Sequence, residues 1–366
     1  MRRALARLLV AFLALLLLVA IALAGWLGYA SMKRSQRERM TIESLAPATG
    51  RWVDVGDSRL FVQEWGPKSG PVLLLTHGTG AWSGTWFELP ETLATAGWRV
   101  VAVDLPPFGF SASNRRNGEL YYSRPAQAER LLRLMESLGG PGEIVLVGHS
   151  FGAGPALEAS VRNPSRLRQL VLVDPALGLG PTGEAPVCAP VPGWAAWLLG
   201  RREIRATLIS GSATYPDFTA SLLGSFVHRK EAVTPERVGA YQVPMRRFSY
   251  GADLGDWAWA FANAGCEPAA SLDPQKLSAW SQGGGPPVVL LWGAADTITP
   301  IAQAQALLRW MPGSRLVELP DLGHIPHIED PVVFATALLG AVGPAEPSTR
   351  PAGPSPKPPQ RKDNPP

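Results

Sequence analysis

The chain has 366 residues, 46% of them hydrophobic, and a formal net charge of +4. That suits one large α/β domain with an insertion, or two smaller domains. The charge is uneven: residues 1–40 hold seven basic side chains and one acidic one, net +6, which leaves the rest of the chain at −2. Without a basic domain surface, nucleic acid is excluded as the main partner. The two cysteines, Cys188 and Cys266, form no Cys-x-x-Cys pair, so no structural zinc site is expected.

Leu8 to Ala24 is an unbroken apolar run, extended by Trp26, Leu27 and Tyr29 and preceded by Arg2, Arg3 and Arg7. Roughly 20 apolar residues suffice to cross a bilayer core, and Trp and Tyr favour its boundary. Two readings stay open: an uncleaved single-pass anchor, or a signal peptide cut after Ala22-Leu23-Ala24 that leaves a secreted or periplasmic protein. The run is longer than a signal peptide's apolar region, which favours the anchor. Lys33, Arg34, Arg37 and Arg39 on the far side weaken the positive-inside signal. Moving a tail with three arginines across the membrane is the harder event, so the main domain is expected outside the cytoplasm. An oxidising compartment would permit a Cys188–Cys266 disulfide; two buried free thiols are the alternative.

After this segment (residues 1–40), Arg51 to Trp65 reads as a hairpin around Gly56-Asp57-Ser58. Pro71 to Thr76, Arg99 to Asp104, Glu143 to Val147 and Leu170 to Asp174 are apolar runs of the kind buried on both faces of a sheet. Helical patterns separate them at Phe87 to Ala96, Pro125 to Leu138 and Ala153 to Val161. Strands alternating with helices predict a doubly wound, mostly parallel sheet with right-handed crossovers. The first part of this core spans residues 51–176. Residues 177–286 contain no clear strand and read as a mainly helical insertion carrying Trp194, Trp197, Trp257, Trp259 and Trp280. The core resumes over residues 287–342 with strands Val288 to Trp292 and Arg315 to Leu319 and helices Ile301 to Met311 and Pro331 to Val342. Residues 343–366 are Pro-rich, cannot build a core and are expected to be disordered.

The chain is organised around Gly148-His149-Ser150-Phe151-Gly152, a Gly-x-Ser-x-Gly between a strand and a helix. Its glycines permit a turn so tight that a Cβ would clash, and the serine is left projecting at the tip. A serine hydroxyl needs a base to take its proton and an acid to orient that base. Ser150, Asp296 and His324 each follow a separate strand, at the sheet end where ligands gather, and in the order Ser, Asp, His. They are read as nucleophile, orienting acid and general base. Asp174 also ends a strand and is the rival acid, while Asp296 could merely cap the next helix. The N–H of Phe151 is one expected oxyanion donor. His77, followed by glycine, reads as structural, and His149 as packing beside the elbow. His228 and His327 read as surface or insertion residues.

His77-Gly78-Thr79, Asp104 to Ser111, the serine motif, Trp292 to Asp296 and Gly323-His324 stand in family-like order. On these motifs the chain, from about Arg51 to Val342, resembles the α/β-hydrolase superfamily, particularly serine esterases and lipase-like members with an inserted cap. The resemblance implies that the insertion is a lid over Ser150 and that the Thr79 N–H is the second oxyanion donor. Pro107 stands where the family loop usually has Gly. Trp82 and Trp86, after the oxyanion loop, are the substrate-pocket candidates; the insertion's tryptophans read as packing.

The resulting expectation is a membrane-anchored serine hydrolase that cleaves a small hydrophobic carboxylic ester through an acyl-enzyme, with no metal or organic cofactor. Carbon–carbon bond hydrolysis, amide cleavage and cofactor-free peroxidation on the same residues stay open. So does a non-catalytic, membrane-tethered binding module.

Overall fold

Apolar runs bounded by turns become strands, and the amphipathic runs between them become the covering helices. In the computed structural model, residues 2–113, 119–138, 144–189, 191–263, 266 and 268–346 are described. The order begins with α1 (Arg2–Arg37), α2 (Ile42–Leu45), β1 (Gly50–Asp54), β2 (Ser58–Trp65) and β3 (Val72–Thr76). Next come α3 (Leu89–Thr95), β4 (Arg99–Val103), β5 (Ala112–Ser113), α4 (Arg124–Leu138), β6 (Ile144–His149), α5 (Ala153–Arg162) and β7 (Leu167–Val173). Six helices follow: α6 (Gly193–Leu199), α7 (Arg202–Ser210), α8 (Pro216–Phe226), α9 (Pro235–Gln242), α10 (Tyr250–Ala262) and α11 (Pro274–Gln282). β8 (Val288–Gly293), α12 (Ala302–Trp310), β9 (Arg315–Leu319), α13 (Pro326–Glu329) and α14 (Pro331–Val342) close the fold. Glu143, the first residue of one expected strand, and the tail from residue 347 lie outside the described residues.

The strands form one sheet in the order β1-β2-β4-β3-β6-β7-β8-β9, with β5 beside β2. β2 pairs antiparallel with β1, β4 and β5. From β4 to β9 all pairings are parallel. The loops after β3, β6, β7, β8 and β9 therefore emerge at one edge of the sheet, which brings distant parts of the sequence together. The two-residue period of a strand sends Leu74, Leu146, Leu172 and Leu290 into a core shared with α4, α5, α11 and α12. Leu75, Val147, Val173 and Leu291 enter a second core, on the other face, with α3 and α14. Both faces are covered, which is why these strands are apolar throughout.

Among the described residues, the stretch between β7 and β8 is helical and contains no strand, as expected. Leu277 of α11 is fully buried in the core beneath the sheet, a core that Tyr250, Leu254 and Trp257 of α10 also join.

α1 is long and apolar enough to cross a membrane. Its side chains from Leu5 to Leu23 face solvent. The end of this helix docks on the insertion. A Cβ on Gly211 would stand 2.7 Å from the Trp26 ring, so glycine leaves room for the ring at this position. Arg34 pairs with Glu203 at 3.0 Å. Arg37 donates to the Thr214 carbonyl at 2.7 Å, and Glu38 accepts from Ser210 Oγ and the Gly251 N–H at 3.2 and 3.1 Å.

Cys188 and Cys266, 78 positions apart, are disulfide-bonded, which decides between the two thiol readings. The bond closes a large loop, and such links stabilise chiefly by restricting the unfolded chain. Denatured protein should migrate differently with and without reductant. Cys188→Ser should abolish that difference and lower unfolding free energy by about 2–5 kcal/mol. Identical migration of wild-type protein under both conditions would contradict the linkage.

Candidate active site

The Gly-x-Ser-x-Gly turn joins β6 to α5 through a single 3₁₀ turn, Ser150–Gly152. Ser150 has φ of 49°, a backbone region that L-residues rarely occupy. Its neighbours leave no alternative. A Cβ on Gly148 would lie 2.6 Å from Ala153 Cα, and one on Gly152 would lie 2.6 Å from the His77 carbonyl. The strain is held by the packed strand and helix, and it points the hydroxyl out of the sheet edge.

The structure brings Ser150, His324 and Asp296 together. His324 Nε2 lies 2.8 Å from Ser150 Oγ. His324 Nδ1 lies 2.8 Å from Asp296 Oδ2. All three residues are buried. Asp296 is anchored by its own turn: Oδ1 accepts the N–H groups of Ile298 and Thr299 at 2.7 and 3.0 Å, and Oδ2 accepts the Thr299 hydroxyl at 2.7 Å. Burial alone would raise the Asp296 carboxyl. The hydrogen bond and charge of His324, with Thr299, outweigh burial and hold the carboxyl below its ordinary value. It is therefore an ionised acceptor at neutral pH, and Nδ1 carries the proton it receives. That leaves Nε2 as the lone-pair nitrogen facing the serine.

Three other histidines surround this line, none with a carboxylate partner. His77 accepts the Leu105 N–H at Nε2 (3.0 Å) and faces the Gly78 carbonyl at Nδ1 (2.8 Å). Burial lowers it to about 4 despite that carbonyl. It bridges the loops after β3 and β4, as the structural reading requires. His149 Nε2 donates to the His324 carbonyl at 2.8 Å, and burial, with His324 nearby, lowers it to about 3. It holds the His324 backbone, a role that no spacing in the sequence signals. His327, expected at the surface or on the insertion, is buried against Trp86, with ring centroids 4.5 Å apart. His228 is exposed, as expected.

A cavity of about 140 Å³ opens onto Ser150 and His324. Gly78 and Thr79 form part of its floor, so the loop assigned to the second oxyanion donor lies beside the serine. The insertion supplies apolar walls, including Ile209, Leu223, Leu254 and Trp257. Phe151 turns its ring away from this space into the packing of Phe108 and Trp257, at 5.5 and 5.3 Å.

The pocket assignment of Trp82 and Trp86 is corrected. Trp82 donates its indole N–H to the Ala240 carbonyl at 2.9 Å and packs edge-on against Phe110. Trp86 is buried between His149 and His327. Neither lines the cavity. Trp257, grouped with the packing tryptophans of the insertion, does line it. Position after a loop motif cannot fix which way an indole points.

Glu329 also escaped the sequence. Its carboxylate accepts the backbone N–H groups of His228, Arg229, Gly323 and Ile325, and so ties the His324 loop to the insertion. Glu329→Ala strands these buried donors and should lower unfolding free energy by about 3 kcal/mol in a urea titration. Glu329→Gln, which keeps an acceptor oxygen, should lose less. Equal stability of Glu329→Ala and wild type would contradict that role.

A family description of the alpha/beta hydrolase fold matches residues 71–331. The 2-hydroxymuconate semialdehyde hydrolase of Pseudomonas sp. strain CF600 is 25% identical over 301 residues, covering 80% of this chain and 93% of that protein. The pimeloyl-[acyl-carrier protein] methyl ester esterase of Aeromonas hydrophila is 27% identical over 275 residues, covering 75% of this chain and 96% of the other. The solved structure of a thermophilic esterase from Thermogutta terrifontis superposes with a TM-score of 0.58 at 24% identity, over 80% of this chain and 98% of its own. With a match across most of the sheet, the chain belongs to the alpha/beta hydrolase family and is a hydrolase.

Proposed function

We propose that this protein is a membrane-tethered serine hydrolase that cleaves carboxylic esters with a hydrophobic acyl part. The observation that carries the reading is the unbroken line Ser150 Oγ, His324, Asp296, with both contacts at 2.8 Å. In this reading His324 Nε2 takes the hydroxyl proton as Ser150 Oγ attacks the acyl carbonyl. Asp296 keeps the imidazole in the required tautomer and stabilises the imidazolium. The N–H groups of Phe151 and Thr79 receive the oxyanion, each worth about 2.7–4 kcal/mol of barrier. His324 then protonates the departing alcohol. A water, deprotonated by the same nitrogen, attacks the acyl-enzyme and releases the acid.

The Ile209, Leu223, Leu254 and Trp257 side chains that wall the cavity support an apolar acyl group. In the same reading the insertion acts as the lid over the serine. The Aeromonas relative, named as a methyl ester esterase, supports ester chemistry. The Pseudomonas relative, named as a semialdehyde hydrolase, keeps carbon–carbon hydrolysis as the second reading. Turnover of an activated ester without cleavage of a vinylogous diketone favours the first. Tethering through α1 is supported by its exposed apolar length. The disulfide supports an extracytoplasmic domain. Because the docking contacts begin at Trp26, cleavage after Ala24 would leave them intact. The mass of the N-terminal peptide from membrane fractions therefore decides between anchor and signal peptide.

A fluorophosphonate probe should label the wild-type protein and leave Ser150→Ala unlabelled. Ester turnover by Ser150→Ala equal to wild type would overturn the mechanism. Asp296→Asn, which presents the wrong tautomer partner, should reduce kcat by about 10⁴-fold. Asp174→Asn should lose far less. Leu254→Trp, which fills the cavity, should depress turnover of long acyl esters about tenfold or more relative to acetate. Equal loss on both esters would remove the acyl assignment.

A further inference from the structure

Two buried aspartates follow neighbouring strands at this edge, and the mechanism above uses one. Asp174 follows β7, next to the strand that leads to Asp296, and is fully buried. Its φ is 43°, a conformation that the surrounding structure must enforce. Oδ1 accepts the Gly293 N–H at 2.8 Å. Oδ2 has no hydrogen-bond donor among the described residues. One hydroxyl, Thr299 Oγ1, lies 3.3 Å from the Asp174 carbonyl and 2.7 Å from Asp296 Oδ2. No lysine or arginine among the described residues pairs with Asp174.

A buried carboxylate with one bare oxygen, beside a second ionised carboxylate, is unfavourable in two ways. It loses its hydration, and it repels its neighbour. Burial and the Asp296 charge push the Asp174 carboxyl well above its ordinary value. The Gly293 N–H opposes them, while a hydrogen bond with Asp296 and the charge of Glu329 add to the rise. The charges of this neighbourhood are Asp296, Glu329 and, when protonated, His324. His149 and His327 pack around the His324 ring, and burial keeps both neutral.

We propose that Asp174 is a positioning residue that remains a neutral carboxylic acid and donates its Oδ2–H to the Asp296 carboxylate. The pair then carries one negative charge. Thr299, whose single proton has two acceptors in reach, is freed to bond the Asp174 carbonyl. The added hydrogen bond moderates the pull of Asp296 on the Nδ1 proton of His324. This inference rests on the proposed roles of Ser150, His324 and Asp296.

The test is the pH profile of kcat/KM on a soluble ester for wild type, Asp174→Asn and Asp174→Ala. Asn retains a neutral donor of the same shape, so its profile should superimpose on the wild type. Ala removes the donor and leaves Asp296 a stronger partner for the imidazolium. The acid limb should move to higher pH by about half a unit to one unit. An ionised Asp174 predicts the opposite result: Asn would remove a negative charge, and the acid limb would fall to lower pH. That outcome, or an Ala profile identical to wild type, overturns the proposal.

A second readout involves no turnover. Infrared spectra of Ser150→Ala at neutral pH should contain a protonated-carboxyl C=O stretch that disappears in Ser150→Ala/Asp174→Asn. Absence of that difference band overturns the proposal even if the Ala variant fails to fold. Fluorophosphonate labelling reports separately on the serine mechanism, so the two readings fail independently.

Discussion

The structure depends on one constrained turn. Ser150 is held at φ 49° because β6 and α5 approach too closely for any side chain at Gly148 or Gly152. Neither element alone would sustain that conformation. β6 is the hub of the sheet, paired with β3 on one side and β7 on the other, and all of its residues are buried. The cohesion of the sheet thus underwrites the strain, and the strain directs the hydroxyl to the edge where the loops converge.

Convergence alone would not set one imidazole apart, since four histidines lie buried at this edge. Their electrostatic surroundings separate them. His77, His149 and His327 are desolvated without a carboxylate partner, so burial drives each toward the neutral form. His77 and His149 then serve as hydrogen-bonding struts between loops. His324 alone faces both a serine oxygen and an ionised carboxylate. The acid is itself anchored by the turn after β8, where Gly293 leaves no room for a Cβ beside the Gly323 carbonyl. That close contact draws the β8 and β9 loops together, and Glu329 secures the second of them.

Much of this was legible in the sequence where a single physical rule governs. Strands buried on both faces are apolar without interruption, so β3, β4, β6, β7 and β8 could be read directly. Parallel order followed from their alternation with helices, and parallel order put Ser150, Asp296 and His324 at one edge. Legibility ended where side-chain direction in irregular backbone decides the outcome. Trp82 and Trp86 follow the loop that borders the cavity, yet both rings point into packing. Trp257 sits in a helix and faces the cavity. His149 and Glu329 hold the His324 loop through backbone contacts that leave no trace in spacing.

The insertion links the site to the N-terminal helix. α7 and the turn after it receive Trp26, Arg34 and Arg37 on one side and present Ile209 to the cavity on the other. Whatever holds α1 therefore bears on a wall of the space above Ser150. In the proposed mechanism this serine becomes acylated. Rapid quench of an activated ester reaction, followed by mass mapping of the peptides, tests it most directly. A burst of alcohol release and an acyl adduct on Ser150 are expected. An acyl group elsewhere, or turnover without any covalent adduct under conditions that trap one, would contradict it.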